Sequence, residues 1–157
     1  MKILCISDVS IHQVIGGAER VLYEQAVGLQ RRGHEVHVMT RRLDTHEAAA
    51  GDICGVREWR YEVETENPFS FLLTTLSNGS RLFRKLDESV GFDTVNAHQP
   101  FSAWAAIRGG LGKRPFVYTC HSLSFEEYLS RRRAQGRRHR ILDTINVHLR
   151  KKIEKTV

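Results

Sequence analysis

The chain has 157 residues, 41% hydrophobic and 27% charged, the balance of one globular domain with room for a substantial core. No apolar run approaches the roughly 18 residues of a membrane-spanning helix. The apolar stretch Ile3 to Ile6 is too short for a signal-peptide core and is followed by Asp8 instead of a small-residue cleavage site, so a cytosolic protein is expected.

The net charge of +6 is local: residues 131–157 hold ten Lys or Arg against two acids, residues 1–130 fourteen against sixteen. Cys5, Cys54 and Cys120 are odd in number and lack any C-x-x-C spacing, so neither a disulfide framework nor a zinc site is indicated. They are expected to be reduced packing residues.

Ile3 to Ile6 is a continuous apolar run, the pattern of a strand covered on both faces. A loop follows, and then Ala18, Val21, Leu22, Ala26 and Leu29 recur at helical spacing until Arg31-Arg32-Gly33 supplies a cationic last turn and a glycine stop. Glu35 to Thr40 alternates as a second strand, which completes a right-handed βαβ unit. Residues 41–55 are polar and alanine-rich and are expected to be loop. Val56 to Val63 alternates as a third, more exposed strand towards an edge.

Asn67-Pro68 opens a long helical tract with Asn78-Gly79-Ser80 as a candidate break. Phe92 to His98 is a fourth strand, Pro100 to Leu111 a short helix, Pro115 to Cys120 a fifth strand, and Ile141, Ile145, Leu149 and Ile153 mark a last helix. The alternation predicts an α/β fold, a doubly wound parallel sheet in order 3-2-1-4-5, which binds ligands beyond the carboxyl ends of its strands.

Three candidates fall at that edge: Gly16-Gly17 after strand one, His98-Gln99 after strand four, and His121 after strand five. The glycines admit two readings, a turn that needs positive φ or an open approach to the first amides of a helix, where a phosphate is favoured. Each histidine admits a structural and a chemical reading. Neither the G-x-G-x-x-G dinucleotide pattern nor a P-loop is present. The basic tract Arg131, Arg132, Arg133, Arg137, Arg138 and Arg140 admits a solvated loop, a patch for anionic lipid or phosphate, or a nucleic-acid contact, the last without interleaved aromatics to support it.

Five segments together resemble a known family: Met1 to Leu4, Gly16 to Arg20, Leu29 to Val36, Phe92 to His98 and Val117 to His121. In order and spacing they are similar to the N-terminal half of a family 4 glycosyltransferase of the GT-B fold. The resemblance implies two Rossmann-like domains facing across a cleft and transfer with retention from a nucleotide-sugar. That donor is a substrate, so no cofactor and no obligatory metal are implied.

Carried onto this sequence, Gly16 and Gly17 approach the donor diphosphate, His121 contacts the donor sugar near the reaction centre, and His98 and Gln99 line the acceptor side. The implied acceptor is a glycan or a lipid-linked molecule, with a possible seat on the inner membrane surface for the basic tract. The donor-binding half is absent from these residues, so the chain is expected to be a fragment that stops before its next strand and is inactive alone. A non-catalytic nucleotide- or anion-binding module is the alternative, and a basic nucleic-acid-binding protein the third reading.

Overall fold

The structure, a computed structural model, describes residues 1–12, 16–42, 48–134 and 141–157, with residues 141 and 142 described by backbone only. Six strands and five helices follow in the order β1 (Lys2–Ile6), α1 (Gly17–Arg31), β2 (Glu35–Arg41), β3 (Ala50–Ile53), β4 (Val56–Tyr61), α2 (Pro68–Val90), β5 (Thr94–Ala97), α3 (Pro100–Gly109), β6 (Phe116–Tyr118), α4 (Ser124–Ala134) and α5 (Ile141–Thr156). The sheet order is β3-β4-β2-β1-β5-β6. Every pairing is parallel except β3 with β4, so the five expected strands take the expected order 3-2-1-4-5.

β1 lies in the middle because its side chains are apolar on both faces. Ile3 and Cys5 join Val36, Val38 and Val56 beneath Leu22, Ala26 and Val27 of α1. Leu4 and Ile6 turn the other way, against Phe83 and Leu86 of α2 and Ala103 and Ala106 of α3. The period-2 alternation of the strand divides the core into two layers.

Three local expectations are corrected. Residues 50–53 form an edge strand within the stretch expected as loop. Cys54 (φ 49°) and Gly55 (φ 81°) turn it back on β4, the two left-handed residues of a tight hairpin. A Cys-Gly pair does not carry the Asn-Gly signature, and Ala-Gly-Asp-Ile has little β propensity, so the hairpin was hidden.

The strand beginning at Val56 is accordingly second from the edge, and it is not the more exposed one. Glu58 is fully buried, and Arg60 is 8% exposed. Finally, α2 runs unbroken through Gly79. A Cβ there would lie 3.0 Å from Cβ of Ala105, so this glycine lets α3 approach instead of ending the helix.

Asn67 caps α2 by accepting from the amides of Phe69 and Ser70, with Pro68 behind it, and Gly91 closes it in the left-handed conformation. Of the three free cysteines only Cys5 is a packing residue, and burial pushes its thiol up to about 12; Cys54 and Cys120 are exposed.

Candidate functional site

The carboxyl ends of the parallel strands are tied together by side chains from the segments that follow them. Ser7, just past β1, donates from Oγ to Gln99 Oε1 at 2.5 Å, and the amide of Asp8 donates to the same oxygen at 2.9 Å. Gln99 is the N-cap of α3, but its side chain is spent on this clamp and makes no cap bond. The exits of β1 and β5 are thereby held in register.

The loop leaving β1 is pinned on its other side. Ser10 Oγ and the Ile11 amide both donate to the buried Glu58 carboxylate, at 2.8 Å each, and Arg60 Nε donates to it at 2.7 Å. Arg60 also reaches the Ala48 carbonyl at 3.0 Å. A strand that alternates Val56, Glu58 and Arg60 on one face thus pins Ser10 and Ile11, just past β1.

Gly16 is the N-cap of α1 with φ −135° and ψ −172°, and no side chain caps the helix. Neither glycine has positive φ, which removes the turn reading. A Cβ on Gly17 would meet nothing within 4 Å, and one on Gly16 would meet only the Glu19 carboxylate, at 2.9 Å. Both residues are exposed, at the N-terminus of α1.

His98 and His121 are brought together. Their rings meet edge to edge, with planes 20° apart and centroids at 5.2 Å, and His98 Nδ1 lies 2.9 Å from His121 Nε2. His98 is 1% exposed. Burial, and then the neighbouring His121, pull its pKa down to about 4. It faces His121 and not a cleft; His121 itself is half-buried.

Beside this edge a groove of about 720 Å³ runs between the start of α2, Phe101 of α3 and the helices α4 and α5. Its walls are largely apolar and aromatic, with Phe71, Leu72, Phe101, Tyr128, Ile145 and Leu149 among them. Neither His98 nor Gln99 forms part of them.

Three arginines face the groove. Arg41, the last residue of β2, lies 5.8 Å over the Phe71 ring, and Arg150 lies over Phe101 at 4.9 Å and Tyr128 at 5.1 Å. Arg132 is held by Asp143 at 2.7 Å. Behind them Asp8 is half-buried with Oδ1 unpartnered; burial raises its carboxyl pKa, resisted first by Arg41, then by Ser102 and Arg150. Burial lowers the pKa of Arg150.

Asp8, Arg41 and Arg150 were missed as site residues in the sequence. Arg41 could have been found from its place at the carboxyl end of a parallel strand. Arg150 had no such signal, because only the packing of α5 against α3 and α4 brings it to the groove.

Of the basic tract, Arg131 and Arg133 are exposed on α4, and Arg132 is engaged as above; Arg137, Arg138 and Arg140 lie outside the described residues. Among the described residues no helix is long and apolar enough to cross a membrane, and no cluster of three or more His, Cys, Asp or Glu is placed to hold a metal.

A mostly parallel six-stranded sheet flanked by helices is a Rossmann-like half of the GT-B glycosyltransferase fold. Residues 15–153 match Glycosyltransferase Family 4, and the chain belongs to that family. Among solved structures it is similar to sucrose-phosphate synthase from Thermosynechococcus elongatus, with TM-score 0.70 and 18% identity over 99% of this chain and 40% of that one. The catalytic domain of starch synthase IV from Arabidopsis thaliana aligns with TM-score 0.55 and 18% identity over 80% of this chain and 34% of that one. A glycosyltransferase from Rickettsia africae aligns with TM-score 0.54 and 22% identity, over 81% and 32%. At these identities the likeness is one of fold, and the chain spans well under half of each relative. A search of curated protein sequences found no match.

Proposed function

We propose that this chain is the acceptor-side half of a retaining glycosyltransferase, which passes a sugar from a nucleotide-sugar to a glycan or lipid-linked acceptor. Family membership and the fold support the transferase reading. The carrying observation is the groove of about 720 Å³ lined by aromatic faces and arginines at the carboxyl edge of the sheet. Aromatic walls stack against sugar rings or pack on hydrocarbon, while guanidinium groups match phosphate geometry. The exposed Arg131 and Arg133 give α4 an attraction for an anionic surface.

Breaking the bond between the anomeric carbon and the donor phosphate leaves negative charge on the diphosphate. The exposed glycines at the N-terminus of α1, Gly16 and Gly17, suit that charge. His121 contacts the transferring sugar, and the buried His98 and the Gln99 clamp hold their strand exits in place behind it. Starch synthase IV, similar in fold, was solved bound to ADP and acarbose, ligand classes that this reading also calls for. The donor is held mainly by a second domain that these 157 residues do not include.

In an enzyme that joins this chain to a donor-binding half, His121→Ala is expected to lower kcat and kcat/KM together, by about 10²-fold. Arg150→Met is expected to raise KM for a phosphate-bearing acceptor by about tenfold with kcat little changed. Steady-state transfer assays read both. Unchanged transfer by His121→Ala, accompanied by a clear loss of thermal stability, would return this histidine to a structural role.

A further inference from the structure

Four polar side chains run in line from α1 to the loop after β6. Asn96 Nδ2 donates to Gln25 Oε1 at 2.9 Å and lies 3.3 Å from His98 Nε2. His98 Nδ1 in turn lies 2.9 Å from His121 Nε2. On the far side of the amide, Asn96 Oδ1 accepts from Thr119 Oγ1 at 3.1 Å.

The chemistry of these groups gives the line a direction. An amide nitrogen only donates, and it carries two hydrogens. One of them goes to Gln25, so the other meets His98 Nε2, which must be a bare lone pair. A neutral imidazole carries a single N–H, here on Nδ1. That hydrogen points at His121 Nε2, which must accept it. The proton of a neutral His121 is then on its own Nδ1, which has no partner among the described residues.

We infer that Asn96 and His98 are positioning residues that hold His121 in its Nδ1–H tautomer, so that its free nitrogen offers a hydrogen-bond donor and not a base. His98 suits the task, because burial lowers its pKa to about 4 and leaves it neutral near pH 7. The group such a donor fits is an oxygen with a lone pair, a sugar hydroxyl or a phosphate oxygen. Naming the sugar hydroxyl rests on the transferase reading; the tautomer does not. A second histidine beside a reacting group thereby acts as a template for the first, as an outer hydrogen bond sets the tautomer of a histidine elsewhere.

The test is a long-range 1H–15N correlation of the histidine rings in the uniformly 15N-labelled 157-residue chain near pH 7. Pyrrole-like Nδ1 and pyridine-like Nε2 shifts for both His98 and His121 are expected. Nε2–H forms, averaged shifts from exchange, or a doubly protonated His121 overturn the inference.

Asn96→Asp keeps the shape but can only accept, so it should reverse both rings to Nε2–H. The wild-type pattern persisting in a folded Asn96→Asp variant also overturns it. If that variant does not fold, His98→Phe takes its place: without the donated hydrogen His121 should revert to the Nε2–H form that free histidine prefers, and retention of Nδ1–H counts against the inference. No sugar transfer enters these measurements, so a failed transfer assay and a failed tautomer assignment are told apart.

Discussion

At the scale of single residues, His98 makes stability depend on pH in a direction that can be worked out. Its pKa is about 4 in the folded chain, against 6.5 for an exposed histidine, so between these pH values the unfolded chain binds a proton that the folded chain refuses. The contribution of His98 is full above pH 6.5 and is lost as pH falls towards 4, by about 3 kcal/mol in all. Thermal unfolding of the wild type and of His98→Gln across that window checks this: the variant is expected to start less stable and to fall less steeply. Parallel curves would mean that His98 is hydrated when folded. The histidines were legible as a pair at neighbouring strand ends, but their contact was not. Register along a strand can be read from alternation, whereas the reach of a side chain across two strands depends on the loop that follows.

The same logic applies at Glu58. Its carboxylate is fully buried and serves Arg60, Ser10 and the Ile11 amide at once. Glu58→Ala leaves a cation and two donors unpaired in the core, a loss of about 3 to 5 kcal/mol. Urea unfolding measures it, and a change below about 1 kcal/mol would show that water reaches Arg60. The alternation of this strand was read correctly as alternation. Two charged residues on one face suggested solvent there, and only the loop leaving β1 shows why they are inside.

At the scale of elements, two glycines in helices make opposite predictions for one substitution. Gly28 in α1 has open space where a Cβ would go, so Gly28→Ala should stabilise the chain by about 0.5 to 1 kcal/mol through helix propensity. Gly109 at the end of α3 would place a Cβ 2.8 Å from Phe83 Cδ1 and 3.0 Å from the Ser80 carbonyl oxygen. Gly109→Ala should therefore cost about 1 to 3 kcal/mol by overpacking the contact of α2 with α3. Thermal melts of the two variants, shifted in opposite senses, are the expected result. In sequence Gly109 reads as one of the glycines that end a short helix, and Gly28 as a residue inside one. What sets their responses apart is a neighbouring helix distant in the chain, and Gly79 was expected to break α2 for the same reason.

At the scale of the molecule, the parallel order was legible because each central strand is a short apolar run followed by an amphipathic helix, and right-handed crossovers leave few alternatives. The edge hairpin was not, since four residues with weak propensity become a strand only when Val56 to Tyr61 offers them a partner. The groove was not legible either, because its walls come from four helices separated by up to some eighty residues. Proposed as half of an enzyme, the purified 157-residue chain is expected to turn over no nucleotide-sugar. Measurable transfer by this chain alone, followed with a radiolabelled donor, would contradict the half-enzyme reading.

The central place of β1 has a further consequence during synthesis. Lys2–Ile6 leaves the ribosome well before one of its two neighbours, β5, which pairs Thr94 with Ile3. At about 5 to 20 residues per second, roughly 5 to 20 s pass before that partner exists. Through this interval one flank of the strand and the Leu4–Ile6 face are without their native cover, although α1 and β2 can already close the other side. The nascent chain therefore carries a sticky half-sheet for seconds, until α2, β5 and α3, all made after β4, cover that flank and that face.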